Sequence, residues 1–114
     1  MSKKLMKRLL PEPTISEVSR LFLALGEEPR LRILRALLEA GEPMPQKALA
    51  EACGLSQANA SKHLIQLVNA GLVTREPRGN LVLFRPVLPL VTEVCDLVCT
   101  FVARRITCTY QAIV

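Results

Sequence analysis

Apolar residues recur every three or four positions through the first 70 residues, the spacing that buries one face of an α-helix. The pattern predicts four helices, over residues 14–25, 28–40, 45–53 and 57–70. A glycine follows each of these segments, as is common at the C-termini of helices. The first helix is expected to begin with a capping box between Thr14 and Glu17, and to bury Phe22.

The connection between the third and fourth helices is unusually short. Only Gly54 and Leu55 separate the third helix from Ser56, a residue type that caps the N-termini of helices. Two helices joined so closely must cross steeply, and a short connection containing glycine is typical of a helix-turn-helix motif. The fourth helix then corresponds to the recognition helix of such a motif.

The apolar pattern then changes from helical to alternating, which predicts strands at residues 72–76 and 81–85 around a turn at residues 77–80. A hairpin that follows a recognition helix is a wing, and Arg78 lies at its predicted tip. A fifth helix is predicted over residues 90–107. The expected fold class is therefore mainly α with a small β-hairpin, a winged helix-turn-helix.

Length and charge are consistent with one nucleic-acid-binding domain. The 114 residues suffice for a single domain, which we place at residues 14–107, between a basic arm at residues 1–13 and a C-terminal tail at residues 108–114. The formal net charge is +5, of which residues 54–85 contribute +3 from four basic residues and one acidic residue. A concentrated positive surface favours a polyanionic partner, because it releases the counterions condensed on the phosphates.

The expected location is the cytoplasm. No uncharged apolar run approaches the roughly 20 residues that span a membrane, so no membrane association is expected. In a reducing compartment the four cysteines are free thiols, metal ligands or redox sensors rather than structural disulfides.

Short polar side chains occupy the first turns of the fourth helix. Base edges lie deep in the major groove of DNA, where bulky apolar groups would block the approach. Gln57 and Asn59 can each bond an adenine edge or a phosphate, Lys62 suits a phosphate, and Arg78 in the wing can reach a phosphate or the minor groove. The alternative interpretation is that Ser56 is only a cap and the other polar residues are a solvated surface.

Four segments in order, LALGEEPRLRIL, GLSQANASKHL, LVNAGLV and RGNLVLFRP, resemble the ArsR/SmtB family of winged helix-turn-helix repressors. The resemblance implies a homodimer, formed through the terminal helices including residues 90–107, that binds an inverted repeat in operator DNA and is released by an inducer. It places the DNA interface at Ser56, Gln57, Asn59, Ser61 and His63, with the wing at Arg78 and Gly79.

The chain departs from the inducer sites familiar in that family. The arsenic-sensing signature has a Cys-x-Cys pair where this chain has residues 42–46, and the last helix lacks the histidines of the zinc-type site. Cys95 and Cys99 remain, four positions apart on the fifth helix, so both thiols can chelate one ion. Cys108 would lie half a turn away in a continuous helix. It can join them only if the chain bends after Arg105 or if the partner subunit supplies it.

Thiolates prefer thiophilic ions, so the expected inducer is As(III), with Sb(III), Cd(II) or Pb(II) as other candidates, and no organic cofactor is expected. Two other interpretations remain open. Cys95 and Cys99 are small apolar residues in a dimer seam, or the thiols form a redox or reactive-sulfur switch in a repressor of the same fold. Cys53 is expected to be a core residue.

Two other classes of protein are alternatives to a repressor. An enzyme with a reactive cysteine is disfavoured, because the single histidine, His63, lies in the recognition segment and no glycine-rich phosphate loop is present. We therefore predict that the protein is not an enzyme. A protein-binding winged helix without an operator would lack the salt-dependent affinity for duplex DNA that a repressor shows.

Overall fold

The computed structural model describes residues 12–113, which form five helices and a three-stranded sheet. The helices are α1 (Glu12–Leu25), α2 (Glu28–Ala40), α3 (Gln46–Cys53), α4 (Gln57–Asn69) and α5 (Leu90–Ile113), and the strands are β1 (Met44–Pro45), β2 (Val73–Arg78) and β3 (Leu81–Pro86). The predicted fold class, four helices followed by a hairpin and a fifth helix, is confirmed. Of the predicted basic arm, residues 1–11 lie outside the described residues.

Helix α2 forms the centre of the core. Pro29 lies in its first turn, where a missing N–H costs no hydrogen bond, and Gly41 ends it with φ of 67°. Ile33, Leu34 and Leu37 on its inner face are fully buried. The other buried members of this cluster are Ala24, Leu49, Leu64, Leu67, Leu72, Val73, Phe84 and Val91.

The connection between α3 and α4 is the predicted glycine turn. Gly54 adopts the left-handed conformation with φ of 65°, and the Leu55 N–H donates a hydrogen bond back to the Ala50 carbonyl oxygen at 2.9 Å. Three residues therefore suffice to redirect the chain. The inner faces of both helices reach the same core, where Leu49 and Leu64 are buried.

The hairpin of β2 and β3 is longer than predicted. Arg78 lies opposite Leu81, so Pro77 belongs to β2 and the turn contains only Gly79 and Asn80. Gly79 has φ of 60°, a conformation that other residues rarely adopt. The wing tip is consequently a tight turn and not the four-residue loop expected from the sequence.

A third strand was not predicted. Strand β1 pairs antiparallel with β3 on the edge opposite β2, with Met44 opposite Phe84 and Pro45 opposite Leu83. Two residues are too few to show an alternating pattern, so β1 can be recognised only from its pairing partner. It joins the middle of β3 to the start of α3.

Both terminal helices extend beyond their predicted bounds. Helix α1 begins two residues early, so the predicted capping box at its start is wrong, and Glu17 instead accepts a hydrogen bond from the Arg20 guanidinium at 2.9 Å. Helix α5 continues to Ile113, so residues 108–113 of the predicted tail are helical.

The outer faces of α1 and α5 are apolar and uncovered. Phe22, which was predicted to be buried, is 63% exposed, and Leu97 in α5 is 75% exposed. Phe101, Val102 and Ile106 are exposed along the same helix. None of the helices within residues 12–113 has the length and apolar character needed to cross a membrane.

Two neighbouring residues of α4 test the assignment of the core. Leu64 is 1% exposed and Ile65 is 54% exposed. We expect Leu64→Ala to lower the free energy of unfolding by about 2–5 kcal/mol, because it removes buried methyl groups and leaves a cavity. The control Ile65→Ala should cost less than half as much in urea unfolding. Equal losses for the two variants would contradict the assigned rotation of α4.

Candidate nucleic-acid interface

The start of α4 is fixed by Ser56. Its backbone is extended, and its Oγ accepts a hydrogen bond from the Asn59 N–H at 3.1 Å. A cap of this kind satisfies one of the amide groups that a helix leaves unpaired at its N-terminus. The Ser56 hydroxyl therefore acts as a helix cap, the role that the alternative interpretation of the sequence gave it. The residue is nevertheless exposed at the surface.

One face of α4 is polar and open to solvent. Gln57, Asn59 and Lys62 are exposed and Ser61 is half-buried, whereas Ala60 on the inner face is fully buried. Four of the predicted DNA-contacting side chains therefore lie on the broad solvent-facing side of α4, across an arc of about 200° around the helix axis.

The structure corrects the assignment of His63. This side chain is only 7% exposed and faces the N-terminal end of α2, so it does not lie on the polar face of α4. Six positions beyond Gln57, a residue has turned by about 240° around the helix axis. The polar run in the sequence therefore includes a residue that points inward.

Arg30 lies at the centre of a buried polar cluster. Its Nε donates a hydrogen bond to His63 Nδ1 at 3.3 Å, and one of its terminal nitrogens donates to the Ala24 carbonyl oxygen at 3.4 Å. The other terminal nitrogen lies 3.4 Å from Glu27 Oε2. The cluster joins the end of α1, the start of α2 and the middle of α4, and it pairs a charge that would be costly to bury alone.

His63 is neutral in this cluster near pH 7. Burial lowers the pKa of His63 below its usual range, the positive charges of Arg30 and Lys62 lower it further, and the Glu27 carboxylate opposes the shift. The neutral ring accepts the Arg30 hydrogen bond at Nδ1 and keeps its proton on Nε2. Across residues 12–113, no buried side-chain nitrogen or oxygen lacks a partner.

Three charged residues share the solvent-facing side of the wing. Glu76 Oε1 lies 3.6 Å from the Arg78 guanidinium, and Glu76 Oε2 lies 3.3 Å from the Arg85 guanidinium. Exposed ion pairs of this kind contribute at most about 1 kcal/mol. Both arginines can therefore exchange Glu76 for a phosphate oxygen, and the exposed backbone at Gly79 leaves the wing tip open.

Cys95, the first cysteine of α5, lies where this helix leaves the core. Cys95 is half-buried against the core and Cys99, one turn further on, is exposed. Burial raises the pKa of the Cys95 thiol, and the neighbouring Cys99 and Asp96 raise it further. Cys95 therefore binds a metal ion only by releasing a proton, and its thiolate is scarce at neutral pH.

The other two cysteines do not join this pair within one chain. Helix α5 is continuous through Cys108, so this exposed thiol lies half a turn around the axis and about 13.5 Å further along it. Cys53 is half-buried against the core, as predicted, and burial raises the pKa of its thiol. In the part of the chain that the structure describes, no group of three or more potential ligands is placed to hold one metal ion.

Two residues of this region were not predicted from the sequence. Gln46, at the start of α3, donates hydrogen bonds to Gln57, 11 positions away, and Arg30 contacts His63, 33 positions away. One feature of the sequence could have identified Arg30 as buried. It occupies the apolar side of α2, three and four positions before Ile33 and Leu34. A charged residue at such a position indicates a buried partner.

Comparison with known proteins gives consistent results. Residues 25–76 match the family described as a helix-turn-helix domain. The homodimeric winged helix-turn-helix DNA-binding domain Mb0332 from Mycobacterium bovis, described as a possible ArsR-family transcriptional regulator, is 26% identical with a TM-score of 0.73, over 93% of this chain and 91% of that chain. An ArsR-like transcriptional regulator from Rhodococcus sp. RHA1 is 25% identical with a TM-score of 0.61, over 87% and 94%. The chain has the winged helix-turn-helix fold and is similar to transcriptional regulators of the ArsR type.

Another solved structure is similar to the chain. The reduced form of HlyU from Vibrio cholerae is 27% identical with a TM-score of 0.67, over 79% of this chain and 93% of that chain. No curated protein matches the chain at a significant level. The Mb0332 domain and the Rhodococcus protein are described as transcriptional regulators, in agreement with the prediction that the chain is not an enzyme.

The buried histidine gives the regulator a pH-dependent stability. The pKa of His63 is lower in the folded chain than in the unfolded chain, where it is about 6.5, so the folded state binds a proton less readily. Neutral His63 makes its full contribution to the free energy of unfolding above the pKa of the unfolded chain. This contribution is lost as the pH falls through the lower pKa of the folded chain. When the pH is lowered from 7.5 to 5, we expect the urea midpoint of His63→Gln to decrease less than that of the wild type. An identical fall in both proteins would contradict the buried, neutral assignment.

Proposed function

We propose that this regulator is a homodimeric repressor that reads operator DNA with α4 and the wing, and that dissociates when a thiophilic ion binds Cys95 and Cys99. The best candidate for that ion is As(III), with Sb(III), Cd(II) and Pb(II) as further candidates. The observation that supports the ion site is a pair of thiols one helical turn apart at the point where α5 leaves the core. A repressor of this kind acts in the cytoplasm, where the DNA is.

The DNA contacts follow from the exposed residues. Gln57, Asn59 and Ser61 face the base edges of the major groove, and Lys62 contacts a phosphate. In the wing, Arg78 reaches the backbone or the minor groove beside the exposed tip at Gly79. Ser56 acts by fixing the start of α4 through its cap. His63 is omitted from this interface because it is buried.

The exposed apolar faces support a dimer. Leu97 and Phe101 on α5 and Phe22 on α1 would be costly to leave in water, and a second copy of the chain can cover all of them. The similar domain Mb0332 is described as homodimeric. A two-fold axis requires an inverted repeat in the operator, with half-sites about 34 Å apart, one turn of the double helix.

The spacing of the thiols suits an ion better than a direct disulfide. The Cβ atoms of helix residues four apart lie about 5–6 Å from one another. A disulfide needs Cβ atoms about 3.5–4.5 Å apart, so it would have to distort α5, whereas a bridging ion would not. A third thiolate for As(III) would have to come from Cys108 of the partner subunit, because α5 does not bend within one chain.

A redox or reactive-sulfur switch is the second candidate. It is favoured by the exposure of Cys99 and Cys108, which oxidants and persulfides can reach. Against it, Cys95 is half-buried with a raised thiol pKa, which is the opposite of the low-pKa environment of a redox-sensing cysteine. Mass spectrometry of the DNA-free protein after persulfide or mild oxidant treatment separates the two candidates.

The phosphate contact of Lys62 has a specific signature. Removal of one phosphate contact lowers the slope of log affinity against log salt by about 0.9 for each subunit bound. We expect Lys62→Ala to reduce the slope by this amount, and to weaken binding similarly on all duplexes, as measured by fluorescence anisotropy. The control Arg20→Ala removes an exposed charge from α1, which is paired with Glu17, and should leave the slope unchanged. Equal slopes for Lys62→Ala and the wild type would remove Lys62 from the interface.

The thiol pair is tested by release from DNA. We expect Cys95→Ser and Cys99→Ser to bind operator DNA as the wild type does, because both residues belong to α5 and neither belongs to α4 or to the wing. Arsenite should no longer release either variant, because one thiolate is missing from the ion site. Cys53→Ala, a change at a thiol outside the pair, should respond as the wild type does.

Release from DNA is measured by mobility shift. The duplex is the one that the wild-type protein selects from a random pool. Titration with arsenite, antimonite, Cd(II) and Pb(II) ranks the ions by potency. Release of both serine variants at the arsenite concentration that releases the wild type would show that the sensing site lies elsewhere.

A further inference from the structure

The side chain of Gln46 links the first residues of α3 and α4. Its Nε2 donates hydrogen bonds to two oxygens of Gln57, the backbone carbonyl oxygen and Oε1, each at 3.1 Å. Gln46 is half-buried, and Gln57 is exposed. The two helices of the helix-turn-helix are therefore connected directly beside the polar face of α4, in addition to their contacts in the core.

This pair of hydrogen bonds determines how the Gln57 amide is turned. A backbone carbonyl oxygen can only accept, so the atom of Gln46 that faces it is the amide nitrogen. The same nitrogen needs an acceptor on the Gln57 side chain, which places Oε1 toward Gln46 and Nε2 away from it. Within residues 12–113, the Gln57 Nε2 makes no hydrogen bond.

We infer that Gln46 is a positioning residue for DNA recognition, which holds Gln57 with its Nε2 outward as a hydrogen-bond donor to the duplex. The inference rests on the proposed function, since it requires α4 to face DNA. The acceptor on the duplex is an oxygen or nitrogen, at a base edge such as guanine O6 and N7 or at a phosphate.

The physical benefit of Gln46 is preorganisation. A glutamine at an exposed helix end samples several rotamers in the free protein, and it loses that freedom when it binds. Two hydrogen bonds from Gln46 restrict the side chain before DNA arrives. Gln46 therefore raises affinity without contacting the ligand itself.

A double-mutant cycle tests this dependence on the duplex selected by the wild type. Gln46→Met keeps the length of the side chain but removes its amide, and we expect it to weaken binding by about tenfold. Gln57→Ala should weaken binding at least as much, and the double variant should bind no more weakly than Gln57→Ala. The matched control Gln66→Met, at the far end of α4, should bind as the wild type does. The thermal midpoints of Gln66→Met and Gln46→Met should be equal, so that stability does not account for their difference in affinity.

Duplexes with single base-pair changes identify the acceptor. A base contact predicts that Gln46→Met and Gln57→Ala both lose discrimination at the same base pair, and a phosphate contact predicts a uniform loss on all duplexes. Either result supports the positioning role if the double variant behaves as stated. Wild-type affinity in Gln46→Met, or a further tenfold loss when it is added to Gln57→Ala, would overturn it. If the wild type selects no duplex at all, the proposed function itself fails.

Discussion

The rotation of α4 about its own axis is the constraint on which the interface depends. Ala60, Leu64 and Leu67 recur at helical spacing and are fully buried, so their burial sets that rotation. Rotating α4 about its axis by about 100°, the angle between successive residues, would bring His63 toward solvent in place of Lys62. Each buried leucine contributes about 1.5–3 kcal/mol, more than any single polar contact on the surface of the helix. The core, and not the surface, thus decides which side chains DNA can meet.

A second, polar constraint acts on the same helix. The Arg30 guanidinium reaches His63 from α2 and the Ala24 carbonyl oxygen from α1, so three helices meet at one charged group. A buried charge with partners adds little net stability, because its desolvation offsets the attraction, but it is directional in a way that leucine side chains are not. Hydrophobic burial places α4 against the core, and the Arg30 cluster fixes its middle relative to the junction of α1 and α2.

Local signals were enough to predict most of this architecture. The glycine turn at Gly54, the cap at Ser56 and the change to alternating apolar residues each depend on neighbouring residues alone, and each is present in the structure. Several of the errors concern features that depend on distant residues. Strand β1 exists only through its pairing with β3, and the buried partner of His63 is Arg30, 33 positions away. Phe22 has the periodicity of a core residue, yet the described chain offers nothing to cover it.

The position of the thiol pair connects sensing to this architecture. On the proposed mechanism, an ion changes DNA affinity only if it binds one arrangement of the dimer more tightly than another. Val91 anchors α5 in the core, Cys95 lies one turn further on, and Cys99 is already exposed. An ion held by this pair therefore acts at the base of the exposed part of α5, where a small change of direction moves the rest of the helix the most. A ligand bound only at Cys108 would act near the far end of the helix, with much less leverage on the separation of the two copies of α4.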